Sequence, residues 1–382
     1  MTRVRTYLDF NATAPLRPEA KAAVIAALEE FGNPSSVHSE GRRARAIVDE
    51  ARVHVARLVG ARPGEVVFTA SGTEGAAAVL AMDWDTIILC QTEHSAVLSA
   101  ARRRADGRTK IIELGVTADG TVDVTDCARV MANAAAFGGR TLIALQMANN
   151  ETGVIQPIQT VFSMAREHGI TTFCDAVQTA GRLKVDIGEL SADFLVLSGH
   201  KIGAPKGTGA LIVRDGTRFI PLITGGGQEK NRRAGTENVA GIAGLGAAAR
   251  AAGEDFETFA QLAELRDALE AEVRRITPQS IIVGSGAERL ANTSLIATPG
   301  KRGETLVIGF DLAGIAVSSG AACSSGKVGR SHVLEAMGLE PDAAQSAIRV
   351  SLGWSSSRKD VDRFLSVWAD TARRDMSAQR VA

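Results

Sequence analysis

The chain has 382 residues, which is long for one small core and typical of a two-domain enzyme. Its 43 basic and 43 acidic side chains balance, so charge gives no argument for nucleic acid or a polyanionic surface as a partner. No apolar run approaches the ~20 residues that span a bilayer, and the first seven residues lack an apolar signal region.

Amphipathic helices are predicted first, over 18–31 and 39–59, each followed or closed by a glycine. Strand-like apolar runs then alternate with helical segments, which is the pattern of a mainly parallel sheet covered by helices. The seven runs are 66–69, 87–90, 111–114, 141–147, 171–174, 194–197 and 210–213.

The last third of the chain has a different pattern. A long helical region, 235–276, is followed by predicted strands at 280–283, 293–298, 306–310 and 347–352, with helices near 331–338 and 358–373. We therefore expect an α/β protein with two domains. Residues 15–255 would form a large domain around the seven-stranded sheet, and residues 1–14 and 256–382 a smaller α+β domain.

The cysteines Cys90, Cys127, Cys174 and Cys323 are widely spaced and include no CxxC pair. They predict free thiols in a reducing cytoplasm rather than disulfides or a zinc site. Cys90 and Cys174 fall in apolar runs and Cys127 in a helix, which indicates structural roles. Cys323 lies in 318–326, a run of small residues that predicts a mobile loop, and a reactive thiolate needs such exposure.

The most informative segment is Ser198-Gly199-His200-Lys201, which directly follows an apolar run. A lysine there, with serine and histidine beside it, suits a ligand that carries both an aldehyde and a phosphate, and pyridoxal 5'-phosphate (PLP) is such a ligand. Asp175 ends an earlier run and would face the pyridinium nitrogen. Taken alone, Lys201 could be a surface lysine after a strand, and Asp175 an aspartate in a turn.

A phosphate site is predicted where the run 66–69 turns into a helix. Backbone N–H groups near Gly72 and Thr73 would face an anion at this helix start. The alternative is that Thr73 is an ordinary N-cap residue.

Ordered sequence blocks connect these segments, and together they resemble cysteine desulfurases of the NifS/IscS type, in the class V aminotransferase superfamily of fold-type I PLP enzymes. The blocks are Tyr7-Leu-Asp-Phe-Asn-Ala-Thr-Ala-Pro15, Gly32-Asn-Pro-Ser-Ser-Val-His38, Thr92-Glu-His-Ser-Ala-Val97, Asn149-Asn-Glu-Thr-Gly153, Ser198-Gly-His-Lys201, Arg233-Ala-Gly-Thr-Glu-Asn238 and Ser318-Ser-Gly-Ala-Ala-Cys-Ser324.

The resemblance implies roles around the cofactor. Ser198 and His200 would bind its phosphate, Gln178 its phenolate oxygen, and His94 would stack on its ring and act as an acid or base. Thr236 would reach the phosphate from the other subunit, so the resemblance also implies a homodimer with shared active sites. A capping or surface histidine is the alternative for His94.

The resemblance also implies the substrate chemistry. Arg349 and Asn150 would bind the carboxylate of L-cysteine, and Cys323 would take its sulfur as a persulfide, leaving L-alanine. An exposed-face residue is the alternative for Arg349. The persulfide would pass to a sulfur acceptor or iron–sulfur scaffold protein, for cluster assembly or thio-modification. No intrinsic metal is expected, although Cys323 could be a transient iron–sulfur ligand shared with a scaffold.

Alternatives to this function remain. Another class V enzyme, such as an aminotransferase or a selenocysteine lyase, would share the cofactor site, and an adaptor that holds a scaffold protein would need no catalysis. The loop cysteine argues against a transaminase, and intact Lys201, Asp175, His94 and Cys323 argue against an adaptor. The segment 327–330 departs from relatives that often carry Leu-x-Pro, which leaves the sulfur acceptor open.

Overall fold

The computed structural model describes residues 5–105, 107–320 and 331–379, with side chains as far as Ala372. Within these ranges, no helix is both long and apolar enough to cross a membrane. The same residues include no group of His, Cys, Asp and Glu side chains arranged to hold a metal ion.

After the short strand β1 (Thr6–Tyr7), seven strands form the largest sheet. They are β2 (Val66–Thr69), β3 (Thr86–Cys90), β4 (Lys110–Leu114), β5 (Thr141–Gln146), β6 (Thr171–Asp175), β7 (Phe194–Ser198) and β8 (Gly209–Val213). Their order is β2-β8-β7-β6-β5-β3-β4. Strands β7, β6, β5, β3 and β4 are parallel to one another, while β8 is antiparallel to both of its neighbours, β2 and β7. The predicted mainly parallel seven-stranded sheet is confirmed.

Both faces of this sheet are covered. On β5, Leu142 and Ala144 pack into one hydrophobic cluster, and Ile143 and Leu145 pack into the other, because successive strand residues point to opposite faces. The surrounding helices are α1 (Pro18–Leu28), α2 (Ser39–Leu58), α3 (Gly72–Leu80), α4 (Ser95–Arg102), α5 (Val124–Phe137), α6 (Ile158–Glu167), the single turn α7 (Gln228–Asn231) and α8 (Val239–Glu254). Helices α3 and α4 cover one face, and α2, α5, α6 and α8 cover the other.

The remaining strands form two small sheets. They are β9 (Ile281–Ile282), β10 (Thr293–Ala297), β11 (Ile315–Ala316), β12 (Ser318–Ser319) and β13 (Ile348–Ser351). Four of them make an antiparallel sheet in the order β12-β13-β10-β9, and β1 pairs in parallel with β11. The helices here are α9 (Phe256–Ala260), α10 (Leu262–Ile276), α11 (Gly303–Leu312), α12 (His332–Ala336), α13 (Pro341–Ser346) and α14 (Arg358–Gln379).

The structure differs from the predicted elements at 306–310 and at 318–319. The run 306–310 is not a strand but part of α11, where Gly303, Leu306 and Phe310 are buried at helical spacing. The predicted helical region 235–276 contains the three helices α8, α9 and α10. The predicted loop 318–326 begins with a two-residue strand, β12, because Ser318 and Ser319 pair with β13. A short apolar run fits a helix or a strand equally well, so periodicity could not decide the first case.

Candidate active site

A cavity of about 290 Å³ lies beyond the carboxyl ends of β6 and β7. Ligands of open α/β sheets bind at this edge. The residues predicted from sequence that line it are Gly72, Thr73, His94, Asn150, Asp175, Gln178, Ser198, His200, Lys201 and Arg349. The structure therefore brings together side chains from segments that are far apart in the sequence.

Lys201 is presented by a short 3₁₀ turn, Gly199–Lys201, that directly follows β7. Its Nζ donates hydrogen bonds to the carbonyl oxygens of Asn11, at 2.5 Å, and Ala12, at 3.0 Å. These backbone acceptors hold a primary amine at the wall of the cavity. An amine in this position can condense with an aldehyde that enters the cavity.

Asp175 is the last residue of β6 and is buried. Its Oδ1 accepts a hydrogen bond from the N–H of Val177 at 2.9 Å. Burial raises the pKa of Asp175 to about 6, while this hydrogen bond and the charge of Lys201 act in the opposite direction. The carboxyl group is therefore mostly ionised at neutral pH, and it suits a cationic ring nitrogen.

His94 is the N-cap residue of α4, and its Nδ1 accepts a hydrogen bond from the N–H of Ala96 at 3.1 Å. The alternative of a capping histidine is thus correct, but the same ring also lines the cavity. Because Nδ1 is an acceptor, the neutral ring carries its proton on Nε2. Burial, followed by the charges of Lys201 and His332, lowers the pKa of His94 to about 4. The cavity therefore contains a neutral imidazole fixed by a helix cap.

The turn before α3 offers donors to an anion. Ser71 is the N-cap, and its Oγ accepts from the N–H of Glu74 at 3.1 Å, so Thr73 is not the cap. The first N–H groups of a helix have no acceptor within the helix. A Cβ on Gly72 would lie 2.9 Å from Cγ2 of Val177, so a side chain here would push the turn away from the segment after β6.

Ser198 and His200 line the same cavity from the end of β7. Burial lowers the pKa of His200 to about 4, and the charges of Lys201, Lys206 and Arg182 act in the same direction. His200 is therefore neutral at physiological pH. A hydroxyl and a neutral imidazole can both donate hydrogen bonds to a phosphate.

Arg349 lies on β13 and is only 1% exposed, so it is not an exposed-face arginine. Its Nη1 donates to the carbonyl oxygen of Asn150 at 3.0 Å, and its Nη2 donates to Oδ1 of Asp9 at 2.7 Å. Nε of Arg349 has no acceptor among the described residues. A guanidinium fixed at the cavity wall can bind a carboxylate.

One described residue that the sequence places at the cofactor is not part of this cavity. Thr236 is exposed and does not line it. Cys323 lies outside the described residues, together with 327–330; the described chain stops at Gly320 and resumes at Ser331. The other cysteines are buried and unpaired, and burial raises the pKa of Cys90 to about 12 and that of Cys127 to about 11.

Sequence reasoning missed Asn11, which lines the cavity, and buried residues adjacent to those that line it. Asn11 provides the carbonyl that holds Lys201, and Arg182 contacts Gln178. Glu93 is fully buried, and burial raises its pKa well above its usual value. Glu151 accepts a hydrogen bond from Ser331 at 2.5 Å, and burial raises the pKa of Glu151 to about 7. Asn11, Glu93 and Glu151 belong to the sequence blocks quoted above, and membership of those blocks was the only indication in the sequence that they lie near the site.

The sequence pattern of the family described as Aminotransferase class-V matches residues 6–364. The chain therefore belongs to the class-V aminotransferase family. The cysteine desulfurase IscS of Dictyoglomus turgidum is 40% identical over 370 residues, which cover 94% of this chain and 93% of that protein.

Solved structures agree with this similarity. A NifS-like protein from Rickettsia africae is 33% identical, with a TM-score of 0.88 over 96% of this chain and 99% of its own. SspA, solved in complex with cysteine, is 29% identical, with a TM-score of 0.78 over 91% of this chain and 98% of its own. Within its family, the chain is a cysteine desulfurase of the NifS/IscS type.

Proposed function

We propose that this protein uses PLP to transfer the sulfur of L-cysteine to its own Cys323, and then to an acceptor. The observation that carries the proposal is the meeting of Lys201, Asp175, His94 and Arg349 at one cavity. These groups provide an amine for an aldehyde, a carboxylate for a ring nitrogen, a flat neutral ring and a cation for a carboxylate.

The residues of the cavity fit the cofactor. Asp175 would pair with the ring nitrogen, Gln178 would donate to the phenolate oxygen, and the imidazole of His94 would stack on the ring. Ser198, His200, Thr73 and the N–H groups near Gly72 would hold the phosphate. When bound, the cofactor supplies an electron sink for negative charge at the substrate Cα.

Arg349 and Asn150 would fix the carboxylate of L-cysteine, and Lys201 would take the proton from Cα. Orientation by Arg349 places the Cα–H bond relative to the amine, which is a large part of the rate enhancement in such sites. Because Nδ1 of neutral His94 accepts from the N–H of Ala96, Nε2 carries the proton and can act there as a donor. The thiolate of Cys323 would then attack the substrate sulfur and form an S–S bond as the sulfur–Cβ bond breaks. The electron pair of the broken bond stays with the carbon skeleton, and protonation there gives the methyl group of L-alanine. Overall, L-cysteine and one thiol give L-alanine and one persulfide.

The acceptor would be a partner with a thiol, in iron–sulfur cluster assembly or thio-modification. We expect a reducing compartment such as the cytoplasm, because Cys323 must be a thiolate before it can attack. Thr236 would complete the phosphate site of a second copy, which accounts for its position outside the cavity of its own chain.

The test is the variant Cys323→Ser. It should bind PLP as the wild type does, because the residues around the cavity are unchanged, and it should lose nearly all conversion of L-cysteine to L-alanine. A hydroxyl is a poor nucleophile at neutral pH compared with a thiolate. The measurement is alanine and sulfide formation from L-cysteine with a reducing thiol present.

The matched controls are Cys90→Ser, Cys127→Ser and Cys174→Ser. Each replaces a buried thiol and should cost stability, by about 1 kcal/mol, without abolishing turnover. Wild-type alanine production by Cys323→Ser would overturn the proposed sulfur transfer.

A further inference from the structure

Arg182 lies behind the cavity and is 5% exposed. Its Nη1 donates to Oδ1 of Asn11 at 2.6 Å and to Oε1 of Gln178 at 2.7 Å. Its Nη2 donates to the carbonyl oxygens of Phe10, at 3.2 Å, and Lys201, at 3.5 Å. The guanidinium thus contacts the backbone of Lys201 and the side chain of Gln178, both of which line the cavity.

Arg182 differs from the other buried arginines in the described part of the chain in having no carboxylate partner. Arg17, Arg52 and Arg349 each pair with a carboxylate, from Asp255, Glu229 and Asp9 respectively. The four acceptors of Arg182 are neutral, and no carboxylate of a described residue forms an ion pair with it. Burial, followed by repulsion from Arg349, lowers the pKa of Arg182 to about 9, so it remains charged at neutral pH.

A buried cation without a carboxylate is costly, since desolvation is not repaid by an ion pair. Charged groups perturbed by burial in this way cluster at functional sites. The positive charge of Arg182 favours negative charge in the adjoining cavity. Gln178 contacts Arg182 and also lines the cavity, so it connects the two.

Arg182 also determines which way the amide of Gln178 faces. A guanidinium can only donate, so the atom of Gln178 beside it must be the oxygen. The nitrogen of the same amide donates to the carbonyl oxygen of Asn11 at 3.1 Å, and that carbonyl can only accept. These two neighbours exclude the flipped amide. The second N–H of Gln178 remains for a hydrogen-bond acceptor in the cavity.

We propose that Arg182 is a positioning residue, which fixes Gln178 as a donor and places positive charge behind it, so that the site prefers a cofactor with an anionic phenolate oxygen. This inference rests on the proposed function, because it takes PLP as the ligand and Gln178 as the contact to that oxygen. Arg182 acts through Gln178 and does not touch the cofactor.

The experiment compares two ligands in two proteins. The dissociation constants of PLP and of 3-deoxypyridoxal 5'-phosphate, which lacks the phenolate oxygen, are measured for wild-type apoprotein and for Arg182→Met. We expect the wild type to prefer PLP. Arg182→Met should lose about tenfold or more of that preference, because Gln178 is no longer fixed as the donor to the charged phenolate oxygen and that hydrogen bond is lost. The preference is a ratio within one protein, so a general loss of stability cancels from it.

Arg17→Met is the matched control. Arg17 is buried near Lys201 and donates to the carbonyl oxygen of Ile202 at 3.0 Å, but it has the carboxylate of Asp255 and does not line the cavity. Its substitution should lower the melting temperature and leave the ligand preference unchanged. Arg182→Lys keeps the charge and should retain part of the preference.

Coupling to Gln178 provides the second measurement. If Arg182 acts through Gln178, then Gln178→Leu should remove the same preference, and the double variant should be no worse than either single variant. An unchanged preference in Arg182→Met, or additive losses in the double variant, would overturn the inference. If wild-type protein bound neither ligand, the proposed function itself would be wrong.

Discussion

At the scale of single residues, burial determines which groups of the cavity are charged. Asp175 keeps most of its charge at neutral pH because a hydrogen bond and Lys201 oppose the effect of burial on its pKa. His94 and His200 are uncharged at neutral pH because burial and nearby cations both lower their pKa values. Among the described residues that line the cavity, Asp175 provides a carboxylate and His94 and His200 provide neutral rings, which is a suitable environment for a cationic heterocycle carrying an anionic phosphate.

Lys201→Ala should abolish the visible absorption of protein purified with PLP. The amine of Lys201 lines the cavity and can condense with the aldehyde, which gives the yellow colour. The absorption spectrum before and after dialysis is the measurement. Lys206→Ala is the control, because Lys206 is exposed and does not line the cavity. An unchanged band in Lys201→Ala would rule out Lys201 as the attachment point.

Local sequence patterns could predict Lys201 and Asp175, but not Arg182 or the role of Asn11. Asp175 ends an apolar strand and Lys201 lies just after one, so a short stretch of sequence contains the signal. The contacts of Arg182 with Phe10 and Asn11 join residues more than 170 positions apart. The carbonyl of Asn11 is a group that every residue has, so its use as an acceptor leaves no trace in the side-chain sequence.

At the scale of elements, the buried strands could be predicted with little error because both faces of the sheet are covered. Such strands read as continuous apolar runs bounded by polar residues, and each of the seven predicted runs overlaps an observed strand. The segment 306–310 has the same appearance but a different environment. Its helix, α11, packs Phe310 against Phe364 at a centroid distance of 4.7 Å, and its other side is exposed.

Substitutions on α11 distinguish a helix from a strand at 306–310. Phe310→Ala should destabilise the protein by about 3–5 kcal/mol, because a buried aromatic ring is lost. Ile308→Ala should cost little, because Ile308 is 61% exposed. In a strand, positions 308 and 310 would share one face, and both substitutions would be equally costly. Urea unfolding midpoints of the two variants provide the comparison.

At the scale of the whole molecule, the segment before α1 connects the two small sheets to the large one. Asn11 donates from Nδ2 to Oγ1 of Thr293 at 2.9 Å, while its carbonyl accepts from Lys201. The division into domains at residues 15 and 255 stays a prediction.

Exposed apolar side chains support association with a second copy. Leu28 and Phe31 are 69% and 85% exposed. Leu222 and Ile223 are also exposed, and the carbonyl of Ile223 accepts from the N–H of Ala234, which places them beside the block that contains Thr236. Exposed apolar surface of this kind often marks an interface. The homodimer with shared sites is therefore a prediction that mixing experiments can decide.

Two inactive variants should restore activity when they are mixed during refolding or coexpression. Lys201→Ala removes the reactive amine, and Thr236→Asp places a negative charge where we expect the phosphate of the partner's cofactor. In a mixed dimer with shared sites, one site combines intact Lys201 with intact Thr236 from the other subunit. With random pairing, about a quarter of wild-type activity should return, since half of the dimers are mixed and half of their sites are intact.

Neither variant alone should regain activity on the same treatment, which is the control for the mixing procedure. If Thr236 served the cavity of its own chain, every site in the mixture would lack one of the two residues and no activity would return. A fully active monomer by light scattering would exclude shared sites more directly. Restored activity would place Thr236 at the phosphate of the opposite subunit, because only that arrangement gives a complete site from two defective chains.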